Sequence, residues 1–342
     1  MKRFSKKIIV LAAALVVLIG LAVGLTAFLS RRPKFITPDA FGLDKGAQVT
    51  LIAERGLVAY APENTAAAFV RAGENGYDGI HFELRRTADG VWVALREENI
   101  RHMTNGAGKI DRITYKQLLQ THIDKGKGLK AFKDEPLTVL TLMQALSICT
   151  KYNMTPVIEV KQSGTDRVEE LLLLIGRRAK KGSVLIFAES EQLNKAQELM
   201  QNGTASVPKG SVQLCRFVEK LSDKTLAEAK KTPEIAVYFP AESNQNAETI
   251  RRFTDAALTL YAAGVNKPKQ LRKLADAGVS RFITDKLAHQ EITIKEEKTT
   301  KRSEKRTNDK PIEKPTAPKN TEGSTAAKRS GKPTEKPSQN AQ

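Results

Sequence analysis

From Gln48 onward, short apolar runs of β-prone residues alternate with stretches whose apolar positions recur at helical spacing. The β-type runs cover 49–53, 79–84, 156–161, 184–188, 212–215, 235–239, 258–262 and 281–285. The spacing predicts helices over 65–75, 142–152, 167–180, 191–201, 244–256 and 268–277. Strands in this βα alternation predict a closed parallel (β/α)8 TIM barrel, although an open eight-stranded sheet would give the same pattern.

The alternation breaks between the second and third runs. Residues 85–140 hold a further extended stretch, Val91–Leu95, and a glycine-rich turn at 105–108. They read as a subdomain inserted after strand two, at the end of a barrel that carries function. The globular part is expected to span 35–288, about 250 residues, a usual size for one barrel.

Both flanks follow other rules. Residues 8–29 contain no charge, and basic residues bracket them on both sides. That length suits one membrane-spanning helix, so residues 1–34 read as an anchor, with a cleaved leader as the lesser alternative. A short basic start ahead of a single span places the barrel outside the cytoplasm, in the cell envelope. Residues 289–342 are rich in Lys, Pro, Thr and Glu and lack apolar periodicity, which predicts a disordered tail. The net charge of +18 is uneven: residues 1–34 carry seven Lys/Arg and no acid, and the tail thirteen Lys/Arg against eight acids. The middle is only mildly basic, which argues against specific nucleic-acid binding. Cys149 and Cys215 lie apart in apolar stretches and read as buried thiols.

Residues 51–65 read LIAERGLVAYAPENT, followed by GYDGIHFEL, TADG, VALRE and TNGAG, then PVIEVK and a closing GVSRFITDK. Taken jointly, these motifs and their spacing resemble the glycerophosphodiester phosphodiesterase family, across about residues 48–287. The resemblance implies metal-assisted phosphodiester hydrolysis, with two histidines for proton transfer or attack and three carboxylates for a divalent cation. Carried across position by position, the two histidines fall on Glu54 and Arg96, and the Asp after the second falls on Glu97. The metal set becomes His81, Glu83 and Glu159. Arg55 and Lys161 keep their places as candidate phosphate-binding cations, and Ala263 replaces an aromatic wall.

An arginine stays protonated, with a pKa above about 12, so Arg96 cannot act as acid or base near neutrality. Glu54 starts from a pKa of about 4.3 and is a poor acid. Each lost proton transfer is commonly worth ~10²–10⁴-fold in rate. These substitutions predict a degenerate member that binds a glycerophosphodiester or a teichoic-acid-like polyanion without normal turnover. The alternative is an active metal-dependent hydrolase with rewired residues. The resemblance implies calcium or magnesium, and a ligating His81 would favour zinc or manganese; a site without metal is also open. Internal pairing of Arg55, Arg96 and Lys161 with the carboxylates is a further expectation. Thr65 or Asn64 is expected to cap the first helix, with Glu63 at its positive end. His102 and His122 read as surface residues of the insertion.

Overall fold

The computed structural model describes residues 41–43, 48–161, 163–178, 182–204, 207–242 and 245–292. The membrane helix expected at 8–29, the anchor as a whole and the tail beyond 292 lie outside the described residues. Among the described residues, no helix is long and apolar enough to cross a membrane.

Eight parallel strands close a barrel. They are β1 (Thr50–Glu54), β2 (Gly79–Arg86), β4 (Thr155–Val160), β5 (Ser183–Phe187), β6 (Val212–Phe217), β7 (Ala236–Pro240), β8 (Leu260–Ala263) and β9 (Arg281–Thr284). The neighbour order β1-β9-β8-β7-β6-β5-β4-β2 is completed by pairing of β1 with β2, so the TIM-barrel expectation holds and the open sheet does not. The short strand β3 (Trp92–Ala94) pairs antiparallel with the end of β2, opposite Leu84–Arg86.

Helices α1 (Ala66–Glu74), α3 (Leu142–Lys151), α4 (Val168–Arg178), α5 (Ser190–Gln201), α7 (Ala247–Thr254) and α8 (Pro268–Ala275) fall where the spacing places them. The one-turn α2 (Tyr115–Leu118) and α6 (Asp223–Ala229) were not anticipated. Ser222 and Thr225 form a reciprocal capping box at the start of α6, satisfying backbone donors that a short helix would otherwise leave open.

Apolar packing divides into three bodies. Phe69, Phe82, Phe187, Phe239, Phe253 and Phe282 belong to the shell between strands and helices. Ile52, Val157, Val184, Ile186, Cys215, Ala236 and Ile283 fill the barrel interior. A third core of Val93, Leu95, Ile100, Met103, Ile110, Leu118, Ile123 and Val139 belongs to the expected insertion. The insertion rests on the loop after β1: Gly128 takes φ +72°, and an added Cβ there would lie 2.1 Å from the Tyr60 carbonyl oxygen. Only glycine permits that approach at that backbone angle. Both cysteines are free and buried.

Candidate active site

Side chains two apart on a strand share a face. On β1 the inward face runs Thr50, Ile52, Glu54; on β2 it runs Gly79, His81, Glu83; on β4 it runs Thr155, Val157, Glu159. The register sets Glu54 opposite His81 and Glu83 opposite Glu159. Strand pairing alone therefore gathers an imidazole and three carboxylates at the carboxyl end of the barrel.

The loop after β1 folds back over this cluster. Arg55 sits at φ +57° and Asn64 at φ +55°. The Arg55 N–H donates to the His81 carbonyl at 2.7 Å, and the Asn64 N–H donates to the Arg55 carbonyl at 3.1 Å. So held, the Arg55 guanidinium pairs with Glu54 at 2.9 Å and with Glu63 at 2.8 Å. Asn64 does not cap α1. Thr65 does, accepting from the Ala68 N–H, while the Asn64 amide donates to Glu83 Oε2 at 3.1 Å. Glu63, expected to serve the helix end, is instead a partner of Arg55.

Glu159 is held from two sides. Lys161 Nζ donates to Oε1, and His81 Nε2 lies 3.6 Å from Oε2. The His81 ring stacks on Tyr238, with centroids 5.8 Å apart and planes at 21°, and Tyr238 meets Phe217 at 5.6 Å. These two aromatics flank the site from β6 and β7. Their inward positions two residues beyond Cys215 and Ala236 are the signal that could have found them.

The electrostatics follow from burial and pairing. Burial would raise the Glu159 carboxyl, but His81 and Lys161 outweigh it and hold the pKa at about 2. Burial would depress His81, but Glu159, Glu83 and Glu54 outweigh it and raise its pKa above the ordinary value. Burial likewise opposes the Arg55 charge, and Glu54, Glu63 and Glu83 restore and strengthen it. Four carboxylates thus face Arg55, Lys161 and a proton-rich imidazole. The cluster nearly neutralises itself.

The two positions read as replaced histidines diverge. Glu54 stands at the barrel mouth, tied to Arg55. Arg96 follows Leu95, whose N–H donates to the Glu83 carbonyl at 2.9 Å, so its backbone reaches the rim. Its side chain is 48% exposed and pairs with Glu97 at 3.5 Å, not with the cluster. The expected internal pairing therefore holds for Arg55 and Lys161 and fails for Arg96, because a neighbouring carboxylate on the rim serves the guanidinium at a lower desolvation cost. No other histidine substitutes. His102 and His122 are exposed in the insertion, and His289 pairs with Asp78 at 2.6 Å at the amino end of the strands.

The proposed metal set does not fit a divalent cation as arranged. Among the described residues, no three His, Cys, Asp or Glu side chains converge on one metal position. Glu159 already faces the Lys161 ammonium, and the three carboxylates that raise the His81 pKa disfavour the neutral imidazole a metal requires.

The closed barrel and the charged cluster at its carboxyl end place this chain among barrel proteins built on an enzyme-type site. A family model described as the glycerophosphoryl diester phosphodiesterase family matches residues 55–289, and the chain belongs to that family. It is 25% identical over 287 residues to a glycerophosphodiester phosphodiesterase of Bacillus subtilis, covering 78% of this chain and 92% of that protein. Glycerophosphodiester phosphodiesterase 1 of mouse is 33% identical over 115 residues, 33% of this chain; the chain spans 34% of the mouse protein's length. Among solved structures, an Oleispira antarctica phosphodiesterase in complex with its product sn-glycerol-3-phosphate superposes with a TM-score of 0.59 at 18% identity. That superposition covers 69% of this chain and 92% of the other.

Proposed function

We propose that this chain is a membrane-tethered, extracytoplasmic member of the family that holds a phosphodiester or an anionic envelope polymer at the barrel mouth without normal turnover. The observation that carries the reading is the state of the two replaced positions. Glu54 is locked to Arg55, Arg96 is turned out to Glu97, and no other imidazole stands in for either. A leaving alkoxide needs a proton donor beside it, and neither a carboxylate paired with Arg55 nor a guanidinium turned to the rim is placed to give one. Lys161, with a third of its side chain exposed, is more open to an incoming phosphate oxygen than Arg55, at 15%. The ligand must compete with Glu159 for Lys161, so binding is expected to weaken as salt rises.

The reading is tested by assaying the full chain against a glycerophosphodiester from pH 5 to 8 with magnesium, calcium, manganese and zinc in turn. No hydrolysis above buffer is expected, together with salt-sensitive retention on polyglycerol phosphate. Tethering through residues 8–29 has its own test: the protein should stay with membranes through an alkaline wash.

A second reading is favoured by one observation. His81 is fully enclosed, Glu159, Glu83 and Glu54 raise its pKa, and its Nε2 faces the Glu159 carboxylate at 3.6 Å, just beyond hydrogen-bond distance. Such a group can donate a proton, as a hydrolase with rewired residues would require. Hydrolysis that disappears in both His81→Gln and Glu159→Ala would establish this reading and end the first.

A further inference from the structure

Among the described residues, the opposite end of the barrel is hollow. A cavity of about 600 Å³ opens among the first residues of the strands. Its walls follow the same inward alternation as the site above, one layer lower. Thr50 precedes Ile52, Thr155 precedes Val157, Gly182 precedes Val184, Gln213 precedes Cys215 and Arg281 precedes Ile283, each by two residues. A barrel of this kind normally fills each inward layer with bulky branched side chains. Here the lowest layer holds glycine, threonine and polar groups. Gly79 takes the β2 position because any Cβ there would lie 2.6 Å from the Thr155 carbonyl oxygen.

The chemistry of the walls is specific. Arg281 lies over the Tyr261 ring at 5.6 Å, and among the described residues it has no carboxylate within ion-pair distance. The two acids on the rim are engaged elsewhere: Asp78 holds the Leu51 N–H and His289, and Glu234 accepts from Gln197. Tyr261 donates to Gln213 Oε1 at 3.0 Å. One guanidinium without an ion-pair partner among the described residues, threonine hydroxyls, an amide and a phenol surround a floor of Ile52, Val157 and Val184, with the Asp78 and Glu234 carboxylates at the rim. The volume lies within the usual range for small-molecule sites.

From this geometry we propose that the amino end of the barrel is a second binding site, for a small hydroxylated anion of the sugar- or polyol-phosphate class. Arg281 takes the phosphate by paired N–H donors. Thr50, Thr155 and Gln213 meet the hydroxyls, and the aliphatic floor meets the carbon face. The site is independent of what the carboxyl-end cluster does, because the two share no residue.

The test is calorimetric titration of the full chain with glucose 6-phosphate, with inorganic phosphate and glucose as separate arms. Glucose 6-phosphate should bind, phosphate more weakly, and glucose not measurably. Arg281→Gln should weaken glucose 6-phosphate by at least about tenfold, the usual weight of a charge-assisted contact. Lys116→Gln, an exposed position on α2 outside both sets of residues, should leave it unchanged. Should Arg281→Gln fail to fold, protection of Arg281 from phenylglyoxal by glucose 6-phosphate, read by mass spectrometry on the wild-type chain, decides the matter. No binding of glucose 6-phosphate, equal loss in Lys116→Gln, binding unchanged in Arg281→Gln, or no protection would overturn the proposal.

Discussion

Replacing Glu159 by Gln tests whether the cluster is held together by its own charges. Glu159 is 8% exposed, and its carboxyl sits at about 2 against an ordinary 4.5, so the folded protein favours the ionised form. At about 1.4 kcal/mol per tenfold change in proton affinity, that preference stabilises the fold by roughly 3 kcal/mol at neutral pH. Glutamine imitates the protonated carboxyl and forfeits it. The pH dependence fixes the origin. A depressed folded pKa stabilises fully above the unfolded value, near 4.5, and the contribution fades as pH falls towards about 2. Urea unfolding of wild type and Glu159→Gln at pH 7, 4.5 and 3 should therefore show the widest gap at pH 7 and a narrowing one in acid. The His81 ring protons, followed by NMR, should titrate at lower pH in the variant, because one of three raising carboxylates is gone. A gap under about 1 kcal/mol at pH 7, or one that does not narrow in acid, would refute the pairing argument.

Two further outcomes follow from the geometry around the cluster. Arg55→Met strands Glu54 and Glu63, which are 22% and 19% exposed, and should cost roughly 3 kcal/mol in urea unfolding; an unchanged midpoint would show that the guanidinium is dispensable. Gly128→Ala drives a Cβ against the Tyr60 carbonyl at positive φ and should cost more than about 1 kcal/mol. It should also speed proteolysis within 98–135, where the insertion would lift from the loop after β1, and unchanged cleavage would dissociate the two.

The barrel was legible because each strand is buried on both faces and its helix on one, so the change of period from two to about 3.6 marks every boundary. Helix α6 escaped because its seven residues bury only Leu226 and Ala229, too few to establish a period. The strand-end residues of the cluster were found through motif spacing, and strand register did bring Glu54, His81, Glu83 and Glu159 together. What they bond to was less legible. Asn64 looked like a helix cap, yet its left-handed backbone turns the amide to Glu83. Arg96 looked like a partner for buried carboxylates, yet Glu97 beside it offers a solvated one. Tyr238 and Phe217 went unremarked because an inward aromatic in a strand looks the same whether it fills the barrel or lines its mouth, until its place beyond Cys215 or Ala236 is known. The hollow at the amino end was invisible for a related reason: it depends on what eight separated positions fail to fill.

We propose that the scaffold is intact and that proton chemistry at two positions has been lost. The most direct test is the triple substitution Glu54→His, Arg96→His and His81→Glu, assayed beside the wild type for release of the alcohol from a glycerophosphodiester across divalent metals. No turnover by the native chain and measurable turnover by the triple variant are expected from that loss. Hydrolysis by the native protein at a rate the three changes do not raise would contradict it.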